Sequence, residues 1–343
     1  MYTAYTEIFL QKDVDMLLHN KFIVVIGDSI QRGTYKDLVL LLQKNKYLTE
    51  ADLKKKGEFS FNGDQLIEGG QKGEMHNGKS YREIRQYQTD HNLLRFYFVT
   101  RCYNTYMESI LADLCKEPRP DVIIMNSCLW DITRYGKNSV EMYKENLEKL
   151  FNRFSNCLTE DCLVLWNATL PISKDARGGF IVPEIEFMNS TLRLDILEAN
   201  FYAHQIATSH GYDFLDLHYY LRHQLHRRVC DGIHWDMTAH RRITNLILCH
   251  LSNAWKGHAK VHEFKVAAAE RFNSLVMDKL TRHPPVAAVY PINFGLSKTL
   301  MDQQNKIHVP DNDLLLDFQW KPYANHEFRH SKKSRQRFRD HTY

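Results

Sequence analysis

The sequence predicts an α/β fold: a three-layer α/β/α sandwich around a mostly parallel central sheet. Two observations carry that expectation. Short, unbroken apolar runs rich in β-branched residues recur at 22–26 (FIVVI), 121–125 (DVIIM) and 162–166 (CLVLW). Runs of that length and composition suit strands buried on both faces. Stretches of helical length separate them. Parallel strands need a long crossover, and a helix supplies one, so the alternation builds a sheet with helices on both sides.

The elements follow in order. Gly27 ends the first strand, and Leu38, Leu41 and Leu42 place a helix over about 34–43. Residues 49–90 are polar and Gly-containing, which predicts short strands and turns, with Gly69-Gly70 and Asn77-Gly78 as turn signals. Residues 93–99 alternate partly and read as a strand. A helix over 104–116 carries Tyr106, Ile110, Leu111 and Leu114 on one side, and Pro118 and Pro120 stop it. After the strand at 121–125 come a helix over about 139–157 and the strand at 162–166. A Gly178-Gly179 loop precedes a long helix over about 184–210, a strand at 212–217 and a last helix over about 236–255. No internal repeat is visible. Beyond about 258 the pattern weakens, with Pro284, Pro285, Pro291, Pro310 and Pro322 interrupting it. The expected organisation is therefore a folded domain over 1–257 and an extension over 258–343. The extension is expected to be helical near 259–280 and otherwise disordered with a basic tail.

Composition narrows the function class. The chain has 343 residues, 43% hydrophobic and 25% charged, enough to bury a substantial core. With a net charge of only +4, nothing about the bulk implies a nucleic-acid binder. Only the tail from Arg329 to Arg339, with six Lys/Arg residues, offers a nucleic acid or an acidic partner a surface, and it reads equally as a solvated segment. The seven cysteines are odd in number, form no CxxC pair and lie partly in apolar runs, which favours a reduced compartment. Residues 1–20 carry Glu7, Lys12, Asp13 and Asp15 and show no signal-peptide pattern. No apolar stretch approaches the roughly 20 residues that cross a bilayer. The expectation is a soluble intracellular protein, cytoplasmic or nuclear, with no membrane span.

In a parallel α/β sheet, ligands bind outside the carboxyl ends of the strands. Three polar segments fall there: Gly27-Asp28-Ser29, Asn126-Ser127 and Asp231-Gly232-Ile233-His234. Ser29 sits at a strand-to-helix turn, where the helix dipole and free N–H groups stabilise an oxyanion. A serine hydroxyl needs a base, histidine serves near neutral pH, and a carboxylate holds the imidazole tautomer. Asp231 and His234, three residues apart, let one turn carry both partners. The competing readings are an N-cap at Asp28 or Ser29 and a core histidine at 234. Other motifs fail. Gln31 follows Ile30 where the G-x-S-x-G elbow needs its second glycine, and Arg32 stands where a P-loop needs Gly. His218, His223 and His226 match no metal-ligand spacing, so no metal and no cofactor are expected. Arg32 and Arg101 read as surface charges, with contact to an anionic substrate as the sharper alternative.

With Gly27-Asp28-Ser29 after the first strand and Asp231-x-x-His234 before the last helix, the chain resembles the SGNH, or GDSL-like, hydrolase superfamily. The runs Asn126-Ser-Cys-Leu-Trp130-Asp131 and Asp231-Gly-Ile-His234-Trp235-Asp236 resemble the PC-esterase family within it, over about residues 20–256. That resemblance implies an acyl esterase or acyltransferase acting on an acylated small molecule or glycoconjugate. Ser29 would be the nucleophile, His234 the proton shuttle and Asp231 its orienting acid. One departure stands out. The superfamily's Gly-x-Asn-Asp block would place Cys128 for the Gly and Trp130 for the Asn if Asp131 is its Asp. The oxyanion candidates are then the Ser29 N–H, Gly69, Gly70 and Asn126. The same departure motivates an alternative, a catalytically silent SGNH-like binding or scaffold protein.

Overall fold

The computed structural model describes residues 8–136, 138–177 and 183–255. Seven strands form one sheet: β1 (Lys21–Gly27), β2 (Gln65–Gly69), β3 (Glu83–Gln88), β4 (Asn92–Phe98), β5 (Val122–Met125), β6 (Leu163–Asn167) and β7 (Asp213–Leu215). Their order across the sheet is β2-β3-β4-β1-β5-β6-β7. The strands from β4 to β7 run parallel, with Val25 opposite Phe96 on one side and Ile124 on the other. At one edge β3 and β2 continue the sheet antiparallel.

The apolar runs behave as strands buried on both faces. Phe22, Val24 and Ile26 enter one core, while Ile23 and Val25 enter the other. Helices α4 (Thr105–Leu114), α6 (Ser139–Cys157) and α7 (Leu192–Ser209) close the first face, with Met107, Leu147, Phe151 and Ile196 buried there. Helices α1 (Gln11–Leu17), α2 (Ser29–Gln43) and α9 (Met237–Ala254) close the second, with Val14, Val39, Leu41 and Ile247. The result is the expected three-layer sandwich. After β1 the chain builds the sheet toward β4, and after β4 it crosses to β5. The order therefore reverses at β1, and the crevice beyond its carboxyl end is the site such sheets offer a ligand.

Several boundaries differ from expectation. Helix α2 begins at Ser29 rather than near 34, because the Asp28 carboxylate caps it by accepting from the Ile30 N–H at 2.9 Å. Gln31 and Arg32 break the apolar period there, yet both are buried. The long helix expected over 184–210 is a 3-10 segment (Pro183–Ser190) followed by α7. Ser190 and Thr191 turn their hydroxyls onto the carbonyls of Phe187 and Met188, which competes with continuous helix. The last strand is shorter than 212–217, since Asp216 caps α8 (Leu217–Leu221) through the Tyr219 N–H. Two further short helices, α3 (Glu50–Lys54) and α5 (Leu129–Arg134), are too brief for periodicity to reveal.

The cysteine reading is corrected at one pair. Cys115 at the end of α4 and Cys157 at the end of α6 are joined as a disulfide, with their Cα atoms 5.8 Å apart. Packing of the two helix ends brings together residues that lie 42 apart in sequence. Cys102, Cys128, Cys162 and Cys230 carry free thiols. Among the described residues no helix is long and apolar enough to cross a membrane. The expected Gly178-Gly179 loop, the extension over 258–343 and its basic tail lie outside the described residues.

Candidate active site

Gly27 closes β1 against the neighbouring strand end. A side chain there would place its Cβ 2.7 Å from the Asn126 carbonyl oxygen, so the turn into α2 requires glycine. Asp28 caps the helix, and Ser29 becomes its first residue. The partner loop is built independently. Arg228 and Trp235 form an antiparallel bridge, and the Val229 N–H donates to the His234 carbonyl at 2.8 Å. Gly232 turns the loop at φ +77°. Asp231 then accepts through Oδ1 from the Ile233 and His234 N–H groups, both at 2.9 Å. Its Oδ2 lies 2.7 Å from His234 Nδ1, and His234 Nε2 lies 2.8 Å from Ser29 Oγ. Burial raises the Asp231 pKa, but the hydrogen bonds from the His234 ring and two backbone amides outweigh it and hold the carboxyl at about 2. Three residues drawn from opposite ends of the fold thus form one continuous hydrogen-bonded relay at the carboxyl end of β1.

The relay opens into a cavity of about 360 Å³. Phe98, Leu129, Trp130 and Trp235 give it apolar walls, while Arg32 and Lys56 bring cations to it. Arg32 does not have the solvent-exposed position that its sequence suggests; it is 5% exposed. Arg101 stacks on the Tyr135 ring at 4.4 Å and is absent from this cavity's wall.

The oxyanion candidates do not converge. Of the four, only Ser29 borders the cavity. Its own N–H lies in the first turn of α2, where no intrahelical acceptor exists. The Gly70 N–H donates to the Arg82 carbonyl at 3.0 Å, and Gly69 and Gly70 are packed against Arg82 and Gly57. Asn126 spends its side-chain amide on the Asn167 carbonyl at 2.8 Å and on Thr169 Oγ1 at 3.1 Å. The Asp131 carboxylate faces inward: it accepts from the Cys102 N–H at 3.0 Å and from the Ser127 hydroxyl, and burial raises its pKa to about 6. The 126–131 segment is thus braced from within, and Leu129 and Trp130 are its contribution to the cavity wall.

Sequence reasoning missed a buried network of charges at the antiparallel side of the sheet. Arg85, with a fully buried side chain, donates from Nε and Nη2 to Asp64 at 2.8 and 2.7 Å, and from Nη1 to Glu83 at 3.1 Å. Lys36 pairs with Glu58 at 2.5 Å. Glu83 also accepts from the Tyr81 hydroxyl at 2.9 Å and from Arg32 at 3.4 Å. This network ties α2, which carries Ser29, to the antiparallel edge of the sheet. The only trace in the sequence was Arg32 and Lys36 at helical spacing among leucines.

His240, in the second turn of α9, packs edge-on over Gly33 of α2. A Cβ at Gly33 would lie 2.3 Å from its Cε1, so the glycine makes room for the ring. Burial and the nearby His234 lower the His240 pKa from its ordinary 6.5 to about 3. Between those values the unfolded chain binds a proton that the folded state refuses. The His240 contribution to stability is therefore complete above about pH 6.5 and expected to fall as pH drops toward about 3. Urea unfolding across that window should show the slope flattened in His240→Leu. A slope unchanged by that substitution would assign it to other groups.

His218 is fixed by Nδ1 to the Thr169 carbonyl at 2.8 Å. Among the described residues no cluster of three or more His, Cys, Asp or Glu is placed to hold a metal ion.

No family model matches the chain. Curated relatives do. PC-esterase domain-containing protein 1A of Homo sapiens is 51% identical over 249 residues, covering 72% of this chain and 55% of the relative. PC-esterase domain-containing protein 1B of Homo sapiens is 47% identical over 245 residues, covering 71% and 57%. The chain thus spans a little over half the length of the curated relatives it matches. Among solved structures, a lipase/acylhydrolase from Enterococcus faecalis aligns at 17% identity with a TM-score of 0.40, over 68% of this chain and 96% of that one.

Proposed function

Since the chain, over the region it shares with these relatives, belongs to the PC-esterase family, we propose that it is a serine-type acyl esterase or acyltransferase acting on an ester of a modified sugar or glycoconjugate. The observation that carries this reading is the unbroken relay from Ser29 Oγ through His234 to Asp231. Each member faces the partner its role requires.

In the proposed cycle, His234 Nε2 accepts the Ser29 proton as Oγ attacks the acyl carbon. Asp231, ionised well below neutral pH, keeps the proton of His234 on Nδ1 and stabilises the imidazolium. The negative charge on the tetrahedral intermediate meets the N-terminus of α2, where the Ser29 N–H lies and the helix dipole favours an anion. Collapse expels the alcohol, which takes its proton from His234. Water or a second alcohol then attacks the acyl-enzyme, and which of them gains access decides between hydrolysis and transfer. A fluorophosphonate probe is expected to label Ser29 at neutral to mildly alkaline pH and to leave Ser29→Ala unmodified. A folded protein that resists the probe would count against the nucleophile.

A second reading has its own observation. Gly70 and Asn126 spend their donors within the fold, which leaves the Ser29 N–H as the one sequence-predicted donor at the cavity. Loss of a single oxyanion donor costs about 10²–10³ in turnover. A binding protein that keeps an SGNH pocket without turnover would label with the probe yet release no product from any ester.

A further inference from the structure

We propose that Arg32 and Lys56 form an anion subsite in the cavity beside Ser29, so that the preferred ester carries a carboxylate or phosphate group on its alcohol part. The term ester rests on the function proposed above; the subsite is a property of the cavity wall.

Arg32 follows Ser29 by three residues, and that helical spacing puts both side chains on one face of α2. Both border the cavity. A guanidinium offers five N–H donors, and buried ones are normally used. Arg85 shows the usual outcome, with Nε, Nη1 and Nη2 all engaged at 2.7–3.1 Å. Arg32 differs. Among the described residues the one hydrogen bond of its guanidinium runs from Nη1 to Glu83 at 3.4 Å, near the outer limit of such a contact. The residue lines the cavity, and no hydrogen bond from Nε or Nη2 is made among the described residues. Phe98 backs the guanidinium, its ring centre 5.7 Å from Cζ.

Lys56 is the second cation. Its ammonium donates to the His76 carbonyl at 3.0 Å and to Asn77 Oδ1, and it lies 4.8 Å from the centre of the Tyr81 ring. It makes no ion pair among the described residues. The neighbouring carboxylates are already committed: Glu58 to Lys36, Asp64 to Arg85, and Glu83 to Arg85 and Arg32. The other acids on the cavity are held as well. Asp28 caps α2, Asp231 binds His234, Asp236 caps α9 and contacts Arg227, and Glu50 pairs with Lys54. Burial and the nearby Arg32 charge lower the Lys56 pKa against the opposing charge of Glu83, a carboxylate paired with Arg85 and Arg32, so Lys56 has no counter-charge of its own. A carboxylate or phosphate supplies that charge and accepts two parallel bonds from the guanidinium edge, whereas a neutral hydroxymethyl group does neither.

The test uses methyl glucoside, its C6 carboxylate (the glucuronide) and its 6-phosphate, each mono-acetylated at the same hydroxyl. Calorimetric binding to folded Ser29→Ala removes turnover from the readout. The charged ligands are expected to bind about tenfold or more tighter than the neutral one, a gain that shrinks with added salt. Whichever of the two anions gains more identifies the source. In the Ser29→Ala background, Lys56→Gln should abolish most of the gain and Lys56→Arg should restore it. Arg32→Gln should do as Lys56→Gln does, if its melting curve shows it folded. Equal binding of all three ligands, or a preference that survives Lys56→Gln, would overturn the subsite. Wild-type protein that turns over none of the esters while the binding preference holds would remove the esterase reading and leave the subsite standing.

Discussion

His234→Ala is expected to lower kcat/KM for an active ester by about 10⁴–10⁶-fold, the scale on which serine-enzyme relays fail when the base is removed. The expectation follows from geometry. His234 Nε2 is 2.8 Å from Ser29 Oγ, which leaves the hydroxyl no other base at hydrogen-bond distance among the described residues. Ser29→Ala should cost as much, and the double variant should be little worse than either single one, because the two residues act as a unit. Asp231→Asn should cost about 10⁴-fold, since an amide donor facing Nδ1 favours the wrong imidazole tautomer. Steady-state hydrolysis of a chromogenic acetyl ester, with circular dichroism to confirm folding, decides it. A double variant that loses the product of the single losses would mean that Ser29 and His234 do not act together.

Arg85→Met should give the largest loss of stability, about 3–5 kcal/mol, by stranding buried carboxylates. Arg85 has no exposed side-chain surface and holds Asp64 and Glu83, which have none either. The guanidinium is held charged, its pKa raised by Asp64 against the opposing effect of burial. Removing it leaves two negative charges in a region from which water is excluded. Measured against the 5–15 kcal/mol typical of a folded domain, such a loss is a large fraction. Arg153→Met makes the contrast. Its partner Glu108 is also close, at 2.9 Å, but both side chains are about 40% exposed, so about 0–1 kcal/mol is expected. Urea unfolding of both variants tests the difference, and equal midpoints would show that water reaches the Arg85 network. Replacing Arg85 and Asp64 together by apolar residues should recover part of the loss, because neither of that pair is then stranded and Glu83 keeps Arg32 and Tyr81.

Much of this protein was legible before any coordinates. The runs at 22–26, 121–125 and 162–166 became β1, β5 and β6, because a strand buried on both faces needs no polar side and so announces itself as an apolar run. The Gly27-Asp28-Ser29 and Asp231-x-x-His234 segments also stood out, since a tight strand-to-helix turn and a carboxylate three residues from a histidine are local patterns. Local signals were weaker where competing contacts set the boundary. The cap at Asp28 started α2 five residues early, and the side chains of Ser190 and Thr191 interrupted the long helix.

The sequence by itself therefore determined the layer architecture and named the three residues at the centre of the candidate site. Only the tertiary structure decided that Ser29 and His234 meet across 205 residues, that the Gly70 and Asn126 donors are turned into the fold, and that Arg32 is buried beside a network of paired charges. The physical reason is the same in each case. Hydrophobic periodicity and turn chemistry are short-range and repeat with the element, whereas a polar group's partner is fixed by which segments the sheet order sets side by side. Ser29 thus reads as a candidate nucleophile in one dimension and meets His234 only in three.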